Sequence, residues 1–212
     1  MSDWQPGKRL ALDWFERPTE LVARALLGTI LVTNEPSGLT AGRIVETEAY
    51  LGDRDAASHV NLYKRGRAAL TRRAGLVYMY RSYGIHSIFN IVTEPEGTAG
   101  AVLIRAIEPV AGIDLMIARR GVGKSTQLGK GRERAPMALG LRLTDDAGDL
   151  ASDEHVYLTH GYPPVEIAVS TRIGITKNPD ALLRFFDPQS ASVSSHRRVA
   201  IIEPATGQSD SK

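Results

Sequence analysis

Cysteine is absent from the 212-residue chain, and its absence excludes several kinds of chemistry. Without thiols there are no disulfides, no cysteine nucleophile, no thiolate zinc site and no cysteine-ligated iron–sulfur cluster. The five histidines make no case for a metal either, because none of them are paired at the close helical or hairpin spacings of metal ligands. We therefore expect no metal site, and a chain that suits a reducing compartment.

Long apolar runs are also missing. No segment approaches the roughly 18 apolar residues that a membrane span needs. The first ten residues, MSDWQPGKRL, lack the apolar core of a secretion signal. We expect an intracellular protein that does not engage a membrane. The composition, 42% hydrophobic and 24% charged, predicts one globular domain over residues 9–200 with flexible tails at 1–8 and 201–212.

The signatures of nucleotide binding are incomplete. The segment GVGKST at residues 121–126 resembles the end of a phosphate-binding P-loop, but the pattern requires glycine where the chain has Ala118, and a strand where it predicts a helix. Neither a GxGxxG fingerprint nor a GxSxG nucleophile elbow occurs. The sequence therefore gives no reason to expect a nucleotide cofactor or a serine hydrolase.

Residues 42–59, GRIVETEAYLGDRDAASH, are the most informative stretch. If this is a strand, the side chains of Glu46, Glu48 and Tyr50 project from the same face of it. Glutamate is depleted from strands and costly in a core, so a carboxylate pair here is unusual. Taken alone, it fits an edge strand with solvated carboxylates, a catalytic site, or the two carboxylates of a small-molecule glycoside hydrolase.

Periodicity and turn residues outline the remaining elements. They predict an amphipathic helix at 13–27 that ends at Gly28, and a later helix at 109–120. Residues 61–74 are expected to be a loop, and residues 128–141 to be basic at first and then helical. Strands are predicted at 29–33, 39–50, 99–107, 165–175 and 182–186, with a hairpin over 76–92 that turns at Gly84 and a partly disordered end from residue 189.

Two features suggest a polyanionic partner. The 61–74 segment concentrates positive charge where a phosphate backbone could bind, in Lys64, Arg65, Arg67, Arg72 and Arg73. Tyr83, beside Gly84 at the hairpin tip, has no core to enter, and an outward ring there could wedge between base pairs in a minor groove. Asn90 and Arg105 interrupt apolar strands, so each is either poorly placed or holds a site.

These motifs together resemble a known family. GRIVETEAYLG and DAASH, then YxYxxYG at residues 78–84 with Asn90 six residues later, then VLIRAIEP at 102–109, resemble the alkyladenine (3-methyladenine) DNA glycosylase family. The likeness runs from the LVARALLG helix to RIG at 172–174 and RFF at 184–186.

The resemblance implies an α+β fold: a single domain around a curved antiparallel β-sheet, flanked by helices, with a protruding hairpin that enters the minor groove. It implies a monomer without a cofactor that acts in base excision repair on double-stranded DNA containing damaged purines. In a bacterium such a protein would be cytoplasmic and nucleoid-associated, and in a eukaryote it would be nuclear.

The resemblance also implies a catalytic mechanism. Glu48 matches the carboxylate that deprotonates the water attacking C1′ of the flipped nucleotide. Arg105 matches an arginine that helps to hold this water, and the backbone of Ile173 is expected to assist. The expected reaction is monofunctional, because hydrolysis needs no lysine Schiff base and leaves an abasic site without nicking the strand.

The base-binding residues follow from the same resemblance. Tyr50, His59 and Tyr80 match residues that sandwich the extruded base, and Asn90 matches the residue that rejects the 2-amino group of guanine. Tyr83 matches the side chain that fills the gap in the duplex. Electron-rich tyrosine rings also suit alkylated purines on physical grounds, because these bases carry positive charge.

The chain departs from the family pattern in two places. It has GRERAPMALGL at 131–141 where the family usually has a GPGKL-like segment, and Ala74-Gly75 where the family has Pro-Gly. The first change introduces Arg132 and Arg134 near the expected DNA backbone, which affects substrate range and affinity more than chemistry. A catalytically silent protein of the same fold that only binds damaged DNA remains the alternative.

Overall fold

The computed structural model describes residues 4–197 and 199–205. Within that part of the chain, nine strands form one open, antiparallel sheet in the order β3-β4-β5-β2-β8-β7-β9, while β1 pairs with both β2 and β6. The strands are β1 Ile30–Glu35, β2 Gly38–Tyr50, β3 Val77–Ser82, β4 His86–Val92, β5 Ala101–Ala111, β6 Val156–Thr159, β7 Glu166–Ser170, β8 Arg184–Phe186 and β9 Val199–Pro204.

Short helices flank the sheet. They are α1 Leu12–Phe15, α2 Thr19–Ala25, α3 Lys64–Leu70, α4 Ile113–Arg120, α5 Ser125–Leu128 and α6 Arg134–Leu139, with 3₁₀ turns at Gly52–Arg54, His59–Asn61 and Leu143–Asp145. The expected α+β domain around an antiparallel sheet is thus confirmed. No helix in the described ranges is long and apolar enough to cross a membrane.

Strand β2 is internal over most of its length. β5 pairs with it on one side, while β1 and then β8 pair with it on the other. Every residue from 40 to 49 is buried. The Thr47 hydroxyl donates to the carbonyl of Ala23 at the end of α2, whereas Glu46 accepts from Ser194 in a different segment, so both faces of the strand are covered. An edge strand with solvated carboxylates is therefore the wrong interpretation of this stretch.

The β3–β4 hairpin turns where the sequence predicts. The Ile85 amide donates to the Ser82 carbonyl at 3.2 Å, and the two central residues, Tyr83 and Gly84, have φ of 51° and 73°. Two successive positive φ angles are characteristic of a type I′ turn, whose twist matches that of a hairpin. The Tyr83 ring is left 88% exposed at the tip.

Several expected elements differ in detail. The predicted helix at 13–27 is two helices, because Pro18 separates α1 from α2 as the N-cap of the second. The expected loop at 61–74 contains α3. Only Gly66 and Leu70 of this helix are buried, and the charged residues around them obscure the helical pattern in the sequence. The helix predicted at 109–120 begins at Ile113, since Pro109 still belongs to β5. The strand predicted over 165–175 ends at Ser170.

Two strands lie outside the sequence prediction. β6 extends the sheet beyond β1, and β9 pairs with β7 through Glu166↔Pro204 to Ser170↔Val199. β9 occupies residues 201–204 of the predicted tail, so that part of the tail is a paired strand; residues 206–212 lie outside the described residues. At the other end, the Lys8 carbonyl accepts from the His160 amide, while residues 1–3 are outside the described range.

Gly28 tests how tightly the β2 side of the domain is packed. Its φ is +89°, and an added Cβ would lie 2.3 Å from the Tyr162 carbonyl oxygen. Gly97 has a similar φ of +91° but nothing within 4 Å. Gly97→Ala should cost only the left-handed backbone penalty, about 1–2 kcal/mol, and Gly28→Ala should lower the free energy of unfolding further. Equal losses in urea denaturation would contradict this packing.

Candidate active site

The Glu48 carboxylate is fully buried on β2 and held from two sides. Its Oε1 accepts the Ile173 backbone amide at 2.8 Å, and its Oε2 accepts the Tyr50 hydroxyl at 2.9 Å. Arg105 Nη1 lies 3.3 Å from Oε1. The carboxylate is thus an anion in the protein interior with two hydrogen-bond donors and one adjacent cation.

Arg105 links the two carboxylates of the β2 segment. It lies on β5, where its Nε donates to Glu46 Oε1 at 2.9 Å while its Nη1 faces Glu48. The predicted same-face arrangement is therefore observed. Burial disfavours the charge of Arg105, but the adjacent Glu48 and Glu46 outweigh burial and raise its pKa. Among the described residues, Nη1 has no partner with hydrogen-bond geometry.

Glu46 is fully occupied by donors. Its oxygens accept from Arg105, from Arg184 Nε at 2.7 Å, and from the amide and hydroxyl of Ser194 at 2.7 and 2.8 Å. Burial raises its pKa, but Arg105, Arg184 and the hydrogen bonds outweigh burial and lower it overall. Glu46 therefore cannot act as a second acid or base without breaking this network, and the geometry does not support a two-carboxylate glycoside hydrolase.

A cavity of about 750 Å³ lies beside this site. Four of the predicted base-binding residues are in its wall, namely Tyr50, His59, Tyr80 and Asn90. Glu48, Arg105 and Ile173 are not in the wall. Because the Tyr50 ring lines the cavity and its hydroxyl bonds Glu48, Tyr50 connects the cavity to the buried carboxylate.

The cavity wall is rich in aromatic rings, and these rings are neutral. The His59 ring lies 4.3 Å from Tyr80 between centroids, and His59 Nδ1 is 3.0 Å from the Tyr78 hydroxyl. Burial lowers the pKa of His59, so the ring is neutral at pH 7. Burial also raises the pKa of Tyr78 and Tyr80 to about 12. The pKa of Tyr50 rises well above 10 through burial and the Glu48 charge, so its hydroxyl stays protonated and donates.

Asn90 is 5% exposed on β4, where its Nδ2 donates to the Tyr78 carbonyl at 3.1 Å. That bond fixes the amide against the neighbouring strand of the same hairpin. Since Asn90 is also in the cavity wall, it presents a polar group of fixed orientation to a bound ring.

The five predicted backbone-binding cations differ from one another. Arg65 is in the cavity wall and bonds Asp146, Arg67 bonds Asp53, and Arg73 bonds Asp149. Lys64 and Arg72 are exposed and form no ion pair with any described residue. Part of the positive charge that the sequence concentrates here is thus balanced by nearby carboxylates.

The structure adds residues that sequence reasoning did not select. Tyr63, Arg81 and Arg132 also line the cavity. Tyr78 is 4% exposed and packs in a buried cluster, but it also reaches the cavity. Arg132 lies in the GRER segment that departs from the family pattern. The sequence therefore marked its position, but as a residue near the DNA backbone and not as part of the cavity wall.

Comparison with known proteins identifies the class of enzyme. The model of the methylpurine-DNA glycosylase family matches residues 13–191, which contain Glu48, Arg105, Ile173 and the aromatic cavity. The chain therefore belongs to the methylpurine-DNA glycosylase family, and its enzyme class is that of a DNA glycosylase.

Individual relatives agree with this assignment. A Chlorobium luteolum protein is 44% identical over 192 residues, covering 89% of this chain and 98% of its own. A Prosthecochloris aestuarii protein is 42% identical over 88% of this chain and 91% of its own. One from Methanoculleus marisnigri is 43% identical over 85% and 96%. All three carry the provisional name 3-methyladenine DNA glycosylase.

Glu46 is expected to be a stability residue. Glu46→Gln leaves buried Arg105 and Arg184 without a full countercharge, so the free energy of unfolding should fall by about 3–5 kcal/mol. Glu20→Gln on α2, where the Glu20 side chain is 44% exposed, is the control, and should change the free energy of unfolding by less than about 0.5 kcal/mol.

The Glu46 contribution should depend on pH. A carboxylate whose pKa is lowered by folding stabilises the folded state above its ordinary pKa of 4.5, and this stabilisation is lost as pH falls through the lowered value. The stability difference between wild type and Glu46→Gln should therefore be complete at pH 7 and shrink in acid. A difference independent of pH from 7 to 3 would contradict the charge argument.

Proposed function

We propose that the protein is a monofunctional DNA glycosylase that flips alkylated purines, such as 3-methyladenine, out of duplex DNA and hydrolyses their N-glycosidic bond. The observation that carries this proposal is the buried Glu48 carboxylate, held by the Ile173 amide and the Tyr50 hydroxyl beside an aromatic cavity. The product is an abasic site in an intact strand. The substrate is double-stranded DNA containing damaged purines, bound by a monomer.

The cavity suits an extruded base. The glycosidic bond cannot be reached inside a stacked duplex, so an enzyme that cleaves it must first rotate the nucleotide outward. The volume of about 750 Å³ lies within the range of small-molecule sites. Tyr50, His59 and Tyr80 are all in the wall and provide rings against which a flat base can stack.

Glu48 acts on the sugar through a water molecule. It lies behind Tyr50 rather than in the cavity wall, so an intervening water suits its position better than direct attack. Glu48 takes a proton from this water, the hydroxide bonds C1′, and the electrons of the breaking C1′–N bond leave with the base. A base that is cationic through alkylation departs neutral. The negative carboxylate also stabilises the oxocarbenium-like transition state.

Selectivity arises from the neutral aromatic rings of the wall. A cationic base gains about 0.5–2 kcal/mol against electron-rich rings, and neutral His59 adds no repulsion. Asn90, held by the Tyr78 carbonyl, is placed to reject the 2-amino group of guanine. The wall thus favours alkylated adenine over the normal purines.

DNA contact involves the hairpin and the basic segment. Tyr83 enters the minor groove and fills the gap that the flipped nucleotide leaves. The phosphate backbone is bound by Lys64, Arg65, Arg67, Arg72 and Arg73. Lys64 and Arg72 are free for this role, whereas Arg65, Arg67 and Arg73 must exchange a carboxylate for a phosphate.

Glu48→Gln tests the proposed general base. The amide preserves size but cannot accept a proton, so single-turnover release of free base from duplex DNA methylated with dimethyl sulfate should fall by about 10²–10⁴-fold. Glu20→Gln, a surface change of the same type, should leave the rate unchanged. Release by Glu48→Gln at the wild-type rate would refute the assignment.

The same assay separates the alternative function. A catalytically silent lesion-binding protein would bind the methylated duplex but release no free base, even as wild type. Release of methylated purines by wild type, at more than the rate of spontaneous depurination, therefore excludes the silent binder.

Tyr83→Ala tests the wedge. The ring is almost fully exposed, so the melting temperature should not change. Loss of base–aromatic contact, worth about 1–3 kcal/mol, should weaken binding of a lesion-containing duplex about 5- to 150-fold, as measured by fluorescence anisotropy. Tyr162→Ala is the control, since Tyr162 is 56% exposed but lies outside the hairpin and the cavity wall. Equal affinities for both variants would contradict the wedge.

A further inference from the structure

A buried ion pair close to Glu48 has no role in the scheme above. Asp55 and Arg172 have side chains that are each only 1% exposed. Arg172 Nη2 donates to Asp55 Oδ1 at 2.9 Å, and Nη1 donates to Oδ2 in a second, shorter bond. Asp55 also accepts the backbone amides of Leu51 and Ala57. Arg172, in turn, lowers the pKa of Asp55 despite burial.

The pair joins three segments around the site. Arg172 Nη1 donates to the carbonyl of Ala49, one residue after Glu48 on β2. The Arg172 guanidinium lies 4.6 Å from the centre of the Tyr50 ring. The next residue, Ile173, supplies the amide that bonds Glu48. Both donors to the Glu48 carboxylate are therefore in direct contact with Arg172 or adjacent to it in the chain.

The segment that carries Ile173 has little other support. Residue 173 is half-buried and residues 176–180 are all exposed. Gly174 has a φ of +73° and nothing within 4 Å of an added Cβ. The Arg172 side chain is thus the main anchor at the start of an exposed loop, and the direction of the Ile173 amide depends on it.

A contribution to folding stability does not by itself explain why this ion pair is buried here. Burying two charges costs several kcal/mol per ion, and apolar replacements of similar volume are often as stable. Arg172 Nε is also buried without a hydrogen-bond partner among the described residues, which adds to the cost. The contacts of Arg172 are instead with the Ala49 carbonyl at the end of β2 and with the Tyr50 ring, and Arg172 precedes Ile173, whose amide bonds Glu48.

We propose that Asp55 and Arg172 are positioning residues for base excision, which orient the Ile173 amide and the Tyr50 ring so that Glu48 is held ready to accept a proton. This inference rests on the proposed role of Glu48. The pair touches neither the sugar nor the base; it acts through Ile173 and Tyr50.

Asp55→Asn and Arg172→Lys test the inference. Asparagine removes the charge of Asp55, and lysine keeps the charge of Arg172 but loses the two-bond geometry. A small displacement of a catalytic group can cost about 10²-fold in rate. We expect single-turnover release from dimethyl sulfate-treated duplex DNA to fall about 10- to 100-fold, with affinity for a duplex carrying a stable abasic-site analogue within about threefold of wild type.

The Arg43–Asp187 pair provides a matched control. It is also buried, with each side chain 8% exposed, and Arg43 lies on β2 as well, but it bonds Glu108 and Asp187 rather than any group of the site. Arg43→Lys and Asp187→Asn should lower the melting temperature, as the two test variants do. Below the melting temperature they should leave the excision rate unchanged.

The split between rate and affinity is the readout that a purely structural role would not produce. A loss of stability alone lowers the folded fraction, and so it reduces the amount of excising enzyme and of DNA-binding enzyme equally. A misplaced Ile173 amide instead lowers the excision rate of the folded enzyme and leaves DNA binding in place. The control variants should show no such split.

The outcomes separate this inference from the proposed function. If Asp55→Asn and Arg172→Lys excise at the wild-type rate while Glu48→Gln does not excise, the inference is wrong and the role of Glu48 stands. If Glu48→Gln excises normally, the proposed function itself is wrong. If Asp55→Asn does not fold, as judged by circular dichroism, Arg172→Lys decides the question alone because it keeps the positive charge.

Discussion

The structure depends on the interaction of Arg105 with two carboxylates buried on the central strand. Glu46 and Glu48 are both fully inside, and two uncompensated anions so close together could not stay charged there. Arg105 on β5 reaches both of them, and Arg184 on β8 adds a second cation at Glu46. The neighbours β5 and β8 are therefore constrained chemically as well as by strand pairing, because each of them must bring an arginine.

This network divides two similar residues into different roles. Glu46 takes the strong bonds from both arginines and from Ser194, and so it is a structural anion. Glu48 receives only the more distant Nη1 of Arg105 together with two neutral donors. The proposed general base is thus the carboxylate with the weaker interactions with arginine. The stronger bond between Arg105 and Glu46 keeps Arg105 in place beside Glu48.

The charges around the site follow a simple arrangement. The carboxylates Glu46 and Glu48 are buried outside the cavity wall, whereas the wall itself combines neutral rings with three arginines, Arg65, Arg81 and Arg132. Tyr50 separates the two environments, with its hydroxyl on Glu48 and its ring under the Arg172 guanidinium. Tyr50 is therefore the side chain that links the buried Glu48 carboxylate to the cavity.

Sequence and tertiary structure contributed different parts of this description. The sequence by itself determined the family, the turn at Gly84, the exposed Tyr83 and the same-face relation of Glu46 and Glu48, because turn chemistry and strand alternation are local properties. It also marked Asn90 and Arg105 as polar residues in apolar strands. It did not separate Glu46 from Glu48, since their surroundings come from β5, β8 and the Ser194 segment, which are far away in the chain.

Only the tertiary structure decided which charges are free and which are paired. The acidic partners of Arg65, Arg67 and Arg73 come from other segments, so a count of positive residues in 61–74 overstated the unpaired charge. The pairing of Asp55 with Arg172 likewise joins residues more than a hundred positions apart. The sequence names the groups able to do the chemistry, but burial and pairing depend on long-range contacts, and these decide what each group is able to do.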